Sequence, residues 1–292
     1  MTSQRQGELY ILASALLWGL LPVITILSFA SLPALVSLGL STLIAAVFFA
    51  VVLTVRGRWS ALKNTAVYKA IAMVTIINGV IYPALLFSGL QYTSAGNTAI
   101  IALSEVFFSF LLFHVLRRDH IPCTHIIGAV LMILGALIVL APAYGQSRSG
   151  DLLILLASAV APLGNYFQQQ ARYLVSSDAI LFVRSAVSGI AILLFTLLVG
   201  PPAPRAAIIE AMPLLLVNGI FLFGLSKIFW VESIHRISVT KANALSSVEP
   251  FVTLAAAMLI LNDQPTLWQL VSVVPMCAGM ILLSRRVDKS TI

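Results

Sequence analysis

Glu105-Val106-Phe107 and Glu249-Pro250-Phe251 stand 144 residues apart, each near the middle of a long apolar stretch, 94–116 and 239–261. A carboxylate at that depth in a membrane costs about 2.5–3.5 kcal/mol on insertion scales, so it faces a cavity or a partner rather than lipid. The same offset, without a gap, also matches Ser94 with Ser238, Asp119 with Asp263, Met132 with Met276 and Gly135 with Gly279. Self-similarity at a fixed offset marks a duplicated unit. Here the duplication keeps an expensive residue at its centre.

The rest of the chain is as apolar as these two stretches. It is 60% hydrophobic and 9% charged, with a mean hydropathy of +1.04. Soluble domains carry about 25% charged residues, so this chain lacks the side chains to cover a water-facing surface and reads as an integral membrane protein. The net charge of +7 contains no basic run, which argues against a nucleic-acid partner and for charge arranged by membrane side. Cys123 and Cys277 lie far apart, outside any metal-ligand spacing, and read as packed free thiols. The run from residue 9 through Trp18 and Pro22 to Phe29 is too long for a signal-peptide core and is expected to be a retained first helix.

A bilayer core requires about 20 apolar residues per helix. That ruler divides the chain into ten segments: 9–29, 34–55, 67–90, 94–116, 122–142, 150–172, 178–199, 211–232, 239–261 and 266–285. Lys and Arg avoid translocated loops. With the N-terminus in the cytoplasm, Arg5, Arg56, Arg58, Lys63, Lys69, Arg117, Arg118, Arg172, Arg236, Lys241, Arg285, Arg286 and Lys289 fall at cytoplasmic ends. Only Arg148 and Arg205 fall outside, so both termini are expected in the cytoplasm. The predicted fold is all-α, ten transmembrane helices in two five-helix repeats, residues 1–142 and 143–292. An odd number of helices per repeat inverts the second against the first, a transporter signature. Ala13-Ser14-Ala15 answers Ala157-Ser158-Ala159, and Asn78-Gly79 answers Asn218-Gly219 at offset 140, one helical turn out of step.

Trp18-Gly19, the run Ser94-Ala95-Gly96-Asn97-Thr98-Ala99, and Glu249-Pro250-Phe251 with Gly279 resemble the drug/metabolite transporter superfamily, EamA type. The resemblance covers nearly the whole chain and extends to the aromatic amino-acid exporter (YddG-type) branch. It implies a central cavity between the halves, built from helices 1, 3, 4, 6, 8 and 9. The small multidrug exporters of the superfamily carry a proton-coupling Glu in helix 1. Residues 9–29 hold no ionisable side chain except Tyr10, so proton exchange would fall to Glu105 or Glu249.

Both acids could bind a substrate amine, titrate, or hold neighbouring helices together. Asn78 and Tyr82 share one helix face at a spacing of four, as do Asn165 and Gln169. Each pair suits either a substrate or an interhelical hydrogen bond. Trp18, away from the interface belts, could stack on a substrate or fill core. With Asn243, the candidate substrate-binding set is Trp18, Asn78, Tyr82, Glu105, Asn165, Gln169, Asn243 and Glu249. Lys227 and Arg184 read as snorkelling side chains near the cytoplasmic edge. The four histidines lie at helix ends without metal spacing, and no cofactor is expected.

These features point to an inner-membrane secondary transporter exporting small amphipathic metabolites, amino acids first, by alternating access. It is expected to act as a monomer in the lipid bilayer on a small-molecule substrate. No GxxxxGK[ST] loop is present for ATP, so a gradient must drive it. The rival substrates are phosphorylated or nucleotide-sugar metabolites, which need a basic midplane pocket, and drugs or quaternary cations. An intramembrane enzyme is disfavoured, since the chain has no nucleophile elbow, no HExxH and no histidine at depth.

Overall fold

The computed structural model describes residues 2–112, 123–140, 149–238, 241–242 and 245–283, all helical or connecting. Seven helices are long and apolar enough to cross a membrane: α1 (Ser3–Ser28), α2 (Ala34–Arg56), α3 (Thr65–Leu90), α5 (Cys123–Leu140), α6 (Ser149–Leu174), α7 (Ser177–Val199) and α8 (Arg205–Arg236). Three shorter apolar helices accompany them, α4 (Ala95–Phe110), α9 (Ser246–Leu261) and α10 (Leu267–Leu283). In hydrocarbon every backbone polar group needs an internal partner, which a helix supplies along its length.

The expected segments and the helices overlap throughout but differ at their ends. The first begins at Ser3 rather than residue 9, and the eighth runs over Arg205–Arg236 rather than 211–232. Polar residues ride on the ends of these rods, where a hydropathy ruler does not see them. Gly57 stops α2 as its sequence context suggests. It takes a left-handed φ of 61°, and the next N–H, of Arg58, bonds the Leu53 carbonyl at 3.0 Å.

Large apolar side chains cover the outside of the bundle, among them Val55, Leu198, Leu259 and Val274. Small residues set its inside. A Cβ on Gly39 would meet Leu193 Cδ2 at 2.6 Å, and one on Gly189 would meet Leu43 Cδ2 at 2.8 Å. Likewise Gly279 sits against Met132, and Gly135 against Met276. In both helix pairs, α2 with α7 and α5 with α10, the contact reads the same from either partner. Part of the sequence self-similarity is therefore helix packing, since Met132, Gly135, Met276 and Gly279 are the residues that meet.

The ion pairs among the described residues gather at the end of the bundle that carries the N-terminus. There Glu232 receives Arg172 at 2.9 Å and Arg236 at 2.6 Å, Glu8 pairs with Lys241 at 2.5 Å, and Asp178 faces Arg58 at 3.5 Å. At the other end Asp151 accepts hydrogen bonds from Thr93 and Asn97.

Candidate functional site

Irregular backbone positions the side chains at the middle of the bundle. α1 breaks after Trp18, and Pro22, at the start of its second segment, lacks the N–H that would bond the Trp18 carbonyl. At this break Gly19 lies against α9, where a Cβ would meet the Glu249 carbonyl oxygen at 3.0 Å, and Thr253 Oγ1 donates to the Gly19 carbonyl at 2.6 Å. Trp18 and Glu249 are thereby held on adjoining helices. α3 and α8 each widen into π turns, over Thr75–Ile81 and Val217–Leu225. Such turns are frequent at functional sites, and both contain the Asn-Gly echo of the sequence. Gly79 leaves the room through which the Arg184 side chain crosses α3, its Cγ 3.0 Å from where a Cβ would stand.

A cavity of about 80 Å³ opens among α1, α3, α4, α6, α7, α8 and α9. One water needs roughly 10–15 Å³ of such space, so it has room for several waters. Trp18, Tyr82, Phe223 and Trp230 form aromatic wall. Four ionisable groups of both signs face it, Glu105, Glu249, Arg184 and Lys227. A chain of amides joins three helices: Asn78 Nδ2 donates to Asn165 Oδ1 at 2.9 Å, and Asn165 Nδ2 donates to Glu105 Oε1 at 2.7 Å. Asn78 Nδ2 also reaches Gln168 Oε1 at 3.4 Å. Lys227 Nζ lies 3.1 Å from the centre of the Trp18 ring, a cation–π contact, and within electrostatic reach of both glutamates and of Arg184.

Six of the residues singled out from sequence come together at this cavity: Trp18, Asn78, Tyr82, Glu105, Asn165 and Glu249. Gln169 does not. Its amide donates to the Ile234 carbonyl at 2.6 Å, tying α6 to α8, and the neighbouring Gln168 faces the cavity instead. At 3.6 residues per turn, partners three and four positions from Asn165 lie on either side of one face. The run Gln168-Gln169-Gln170 offers no clue to which is used. Asn243 lies outside the described residues.

The larger correction concerns the two bases. Arg184 and Lys227 do not snorkel to an edge; both point into the cavity, and Arg184 is only 5% exposed. Depth along a helix can be counted in sequence, whereas the direction of a long side chain depends on where a neighbour leaves room. The one available signal was Asn78-Gly79, whose glycine makes that room for Arg184. α7 thus joins the six helices expected around the cavity. Among the described residues no group of His, Cys, Asp and Glu could hold a metal ion.

A bundle of apolar helices around an interior cavity lined by charged, polar and aromatic side chains defines a multi-pass membrane protein. The EamA-like transporter family model matches the chain twice, over residues 5–141 and 148–285, and the chain belongs to that family. It is 27% identical over 230 residues to an uncharacterized transporter of Methanothermobacter thermautotrophicus, covering 74% of this chain and 64% of that relative. It is 28% identical to the uncharacterized transporter YdfC of Bacillus subtilis, over 75% of this chain and 72% of the relative. A match to the uncharacterized transporter YoaV of the same organism spans 93% and 94% of the two chains at 20% identity. The alignment with the first of these relatives leaves about a third of that protein's length unmatched. A solved crystal structure shares the fold with a TM-score of 0.66 at 17% identity, over 96% of both chains.

Proposed function

We propose that this chain is a secondary transporter that exports small amphipathic metabolites, amino acids above all, across the inner membrane. The observation that carries this reading is a single buried cavity bearing two acids, two bases and an aromatic wall. An amino acid has an ammonium for the first, a carboxylate for the second and a side chain for the third. The free space of about 80 Å³ is well below the roughly 300 Å³ at the lower end of ligand pockets, so the cavity is contracted and loading requires the helices around it to part. Ten spans in two inverted five-helix repeats give such a movement a natural form, alternating access about a midplane site. The reciprocal contacts of α2 with α7 and α5 with α10 support that arrangement. In it the end with the ion pairs is cytoplasmic, both termini included, and a monomer suffices.

The presence of both Arg184 and Lys227 on the cavity also favours a second reading, a phosphorylated metabolite as substrate. Two glutamates beside them weigh against a dianion. The test is efflux from liposomes reconstituted with the purified chain and loaded with radiolabelled amino acids, a hexose phosphate or a quaternary amine. Amino-acid efflux above that of protein-free vesicles is the expected result, and efflux of the phosphate alone overturns the reading.

A further inference from the structure

Arg184 differs from the other arginines of the described bundle, of which Arg5 and Arg205 are exposed. Arg56, Arg58, Arg172 and Arg236 each face a carboxylate. Arg184 is more deeply buried than any of them, and among the described residues its guanidinium makes no ion pair and no hydrogen bond. A buried charge without a counter-charge is strongly unfavourable, so its place in the fold points to a partner that arrives with the ligand.

The surroundings say what that partner is. Lys227, of the same sign, lines the same cavity within electrostatic reach of Arg184. An anion between the two would relieve their repulsion. Gln168, 1% exposed, lines the same cavity, with its Oε1 engaged with Asn78 while its Nε2 has no partner among the described residues. That nitrogen is a second unused donor on the same cavity. The acids, by contrast, face the opposite requirement: Glu105 already accepts from Asn165, and with Glu249 it would repel a second negative charge.

We propose that Arg184, with Gln168 Nε2 on the same cavity, is the carboxylate anchor of this transporter, so that the substrate must bring a free monoanionic carboxylate. Guanidinium matches a carboxylate through two parallel N–H donors, a geometry an ammonium cannot reproduce. The inference rests on the amino-acid reading above and makes it more specific, because it excludes amines and amides of the same side chain.

The experiment uses the purified full chain in detergent and reads ligand-induced thermal stabilisation. The probes are leucine, leucinamide, 3-methylbutylamine and a hexose phosphate, with phenylalanine, its amide and phenethylamine as a second series. The wild type should be stabilised by the amino acids and not by the amides or amines. Arg184→Gln should lose that response, and Arg184→Lys should weaken apparent affinity roughly 10- to 100-fold, the range for a hydrogen bond to a charged group. Gln168→Leu should weaken it less than Arg184→Gln. If Arg184→Gln does not fold, Arg184→Lys and the wild-type ligand series decide the matter.

Equal stabilisation by amine and amino acid, or an undiminished response in the Arg184 variants, overturns the anchor while leaving amino-acid transport intact. A response to the hexose phosphate alone, lost in Arg184→Gln, overturns both the amino-acid reading and its carboxylate anchor, and turns the arginine into a phosphate site. No response to any probe overturns both.

Discussion

Glu105 and Glu249 hold equivalent positions in the two repeats but have unequal surroundings. Glu105 accepts the Asn165 amide at 2.7 Å, an interaction that a glutamine can keep. Glu249 precedes Pro250, which removes a donor from the Ser246 carbonyl, while Lys227 lies within electrostatic reach of both acids. Glu249→Gln therefore removes a titratable group from the cavity, whereas Glu105→Gln can keep the hydrogen bond from Asn165. Efflux from proteoliposomes should fall roughly tenfold or more for Glu249→Gln and less for Glu105→Gln, on the scale of a charged hydrogen bond. Wild-type rates for both variants from pH 5.5 to 8 would make the two acids helix fasteners. Trp18 and Tyr82 belong to the same scale. Trp18→Ala and Tyr82→Ala should cut efflux strongly in folded protein, and Trp18→Phe should keep part of it because a ring remains under Lys227. Unchanged efflux in both alanine variants would assign these rings to packing.

Between helices, small residues and polar clusters decide what the cavity can be. Gly164 on α6 leaves the space occupied by the Asn78 amide, and a Cβ there would collide with it. Gly164→Ala should displace Asn78 from Asn165 and lower stability by about 1–3 kcal/mol, as overpacking does, read as a lower unfolding temperature together with lost transport. Gly200→Ala is the matching control, since a Cβ there meets nothing within 4 Å. At the N-terminal end of the bundle Glu232 binds Arg172 of α6, Ser177 of α7 and Arg236 of its own helix. Glu232→Gln leaves two arginines without a counter-charge. Their side chains are only 18% and 20% exposed, so a loss of about 1–3 kcal/mol is expected, between the exposed and the buried case. Double variants with Arg172→Ala should recover part of that loss in thermal unfolding.

For the whole molecule, the two ends of the bundle carry related but unequal fastenings. Ser94 Oγ accepts the Asn97 N–H at 3.1 Å, and at the same offset as the glutamates Ser238 Oγ accepts the Lys241 N–H at 3.2 Å. Asn97 then reaches Asp151 near the start of α6, as Lys241 reaches Glu8 near the start of α1. One end thus closes with a hydrogen bond and the other with an ion pair. Topology is open to direct measurement. In intact cells a cysteine at Gly200 should react with an impermeant thiol reagent, and one at Asn64 should not. The opposite pattern would turn the molecule over and remove the basis for export.

The membrane class, the duplication and most of the helices follow from sequence, because hydropathy and a fixed offset are properties of chain order alone. Glu105 and Glu249 were legible for the same reason, since a carboxylate inside an apolar run is conspicuous wherever it points. Direction was not legible. Whether Gln168 or Gln169 faces the cavity turns on the rotation of α6, set by its contacts with α3 and α8. Whether Arg184 reaches water at an edge or an interior cavity turns on the room beside Gly79, four helices away in the chain. A side chain's position along a helix is local, but its neighbours come from distant residues, so only the tertiary structure decided that the two bases line the same cavity as the two acids.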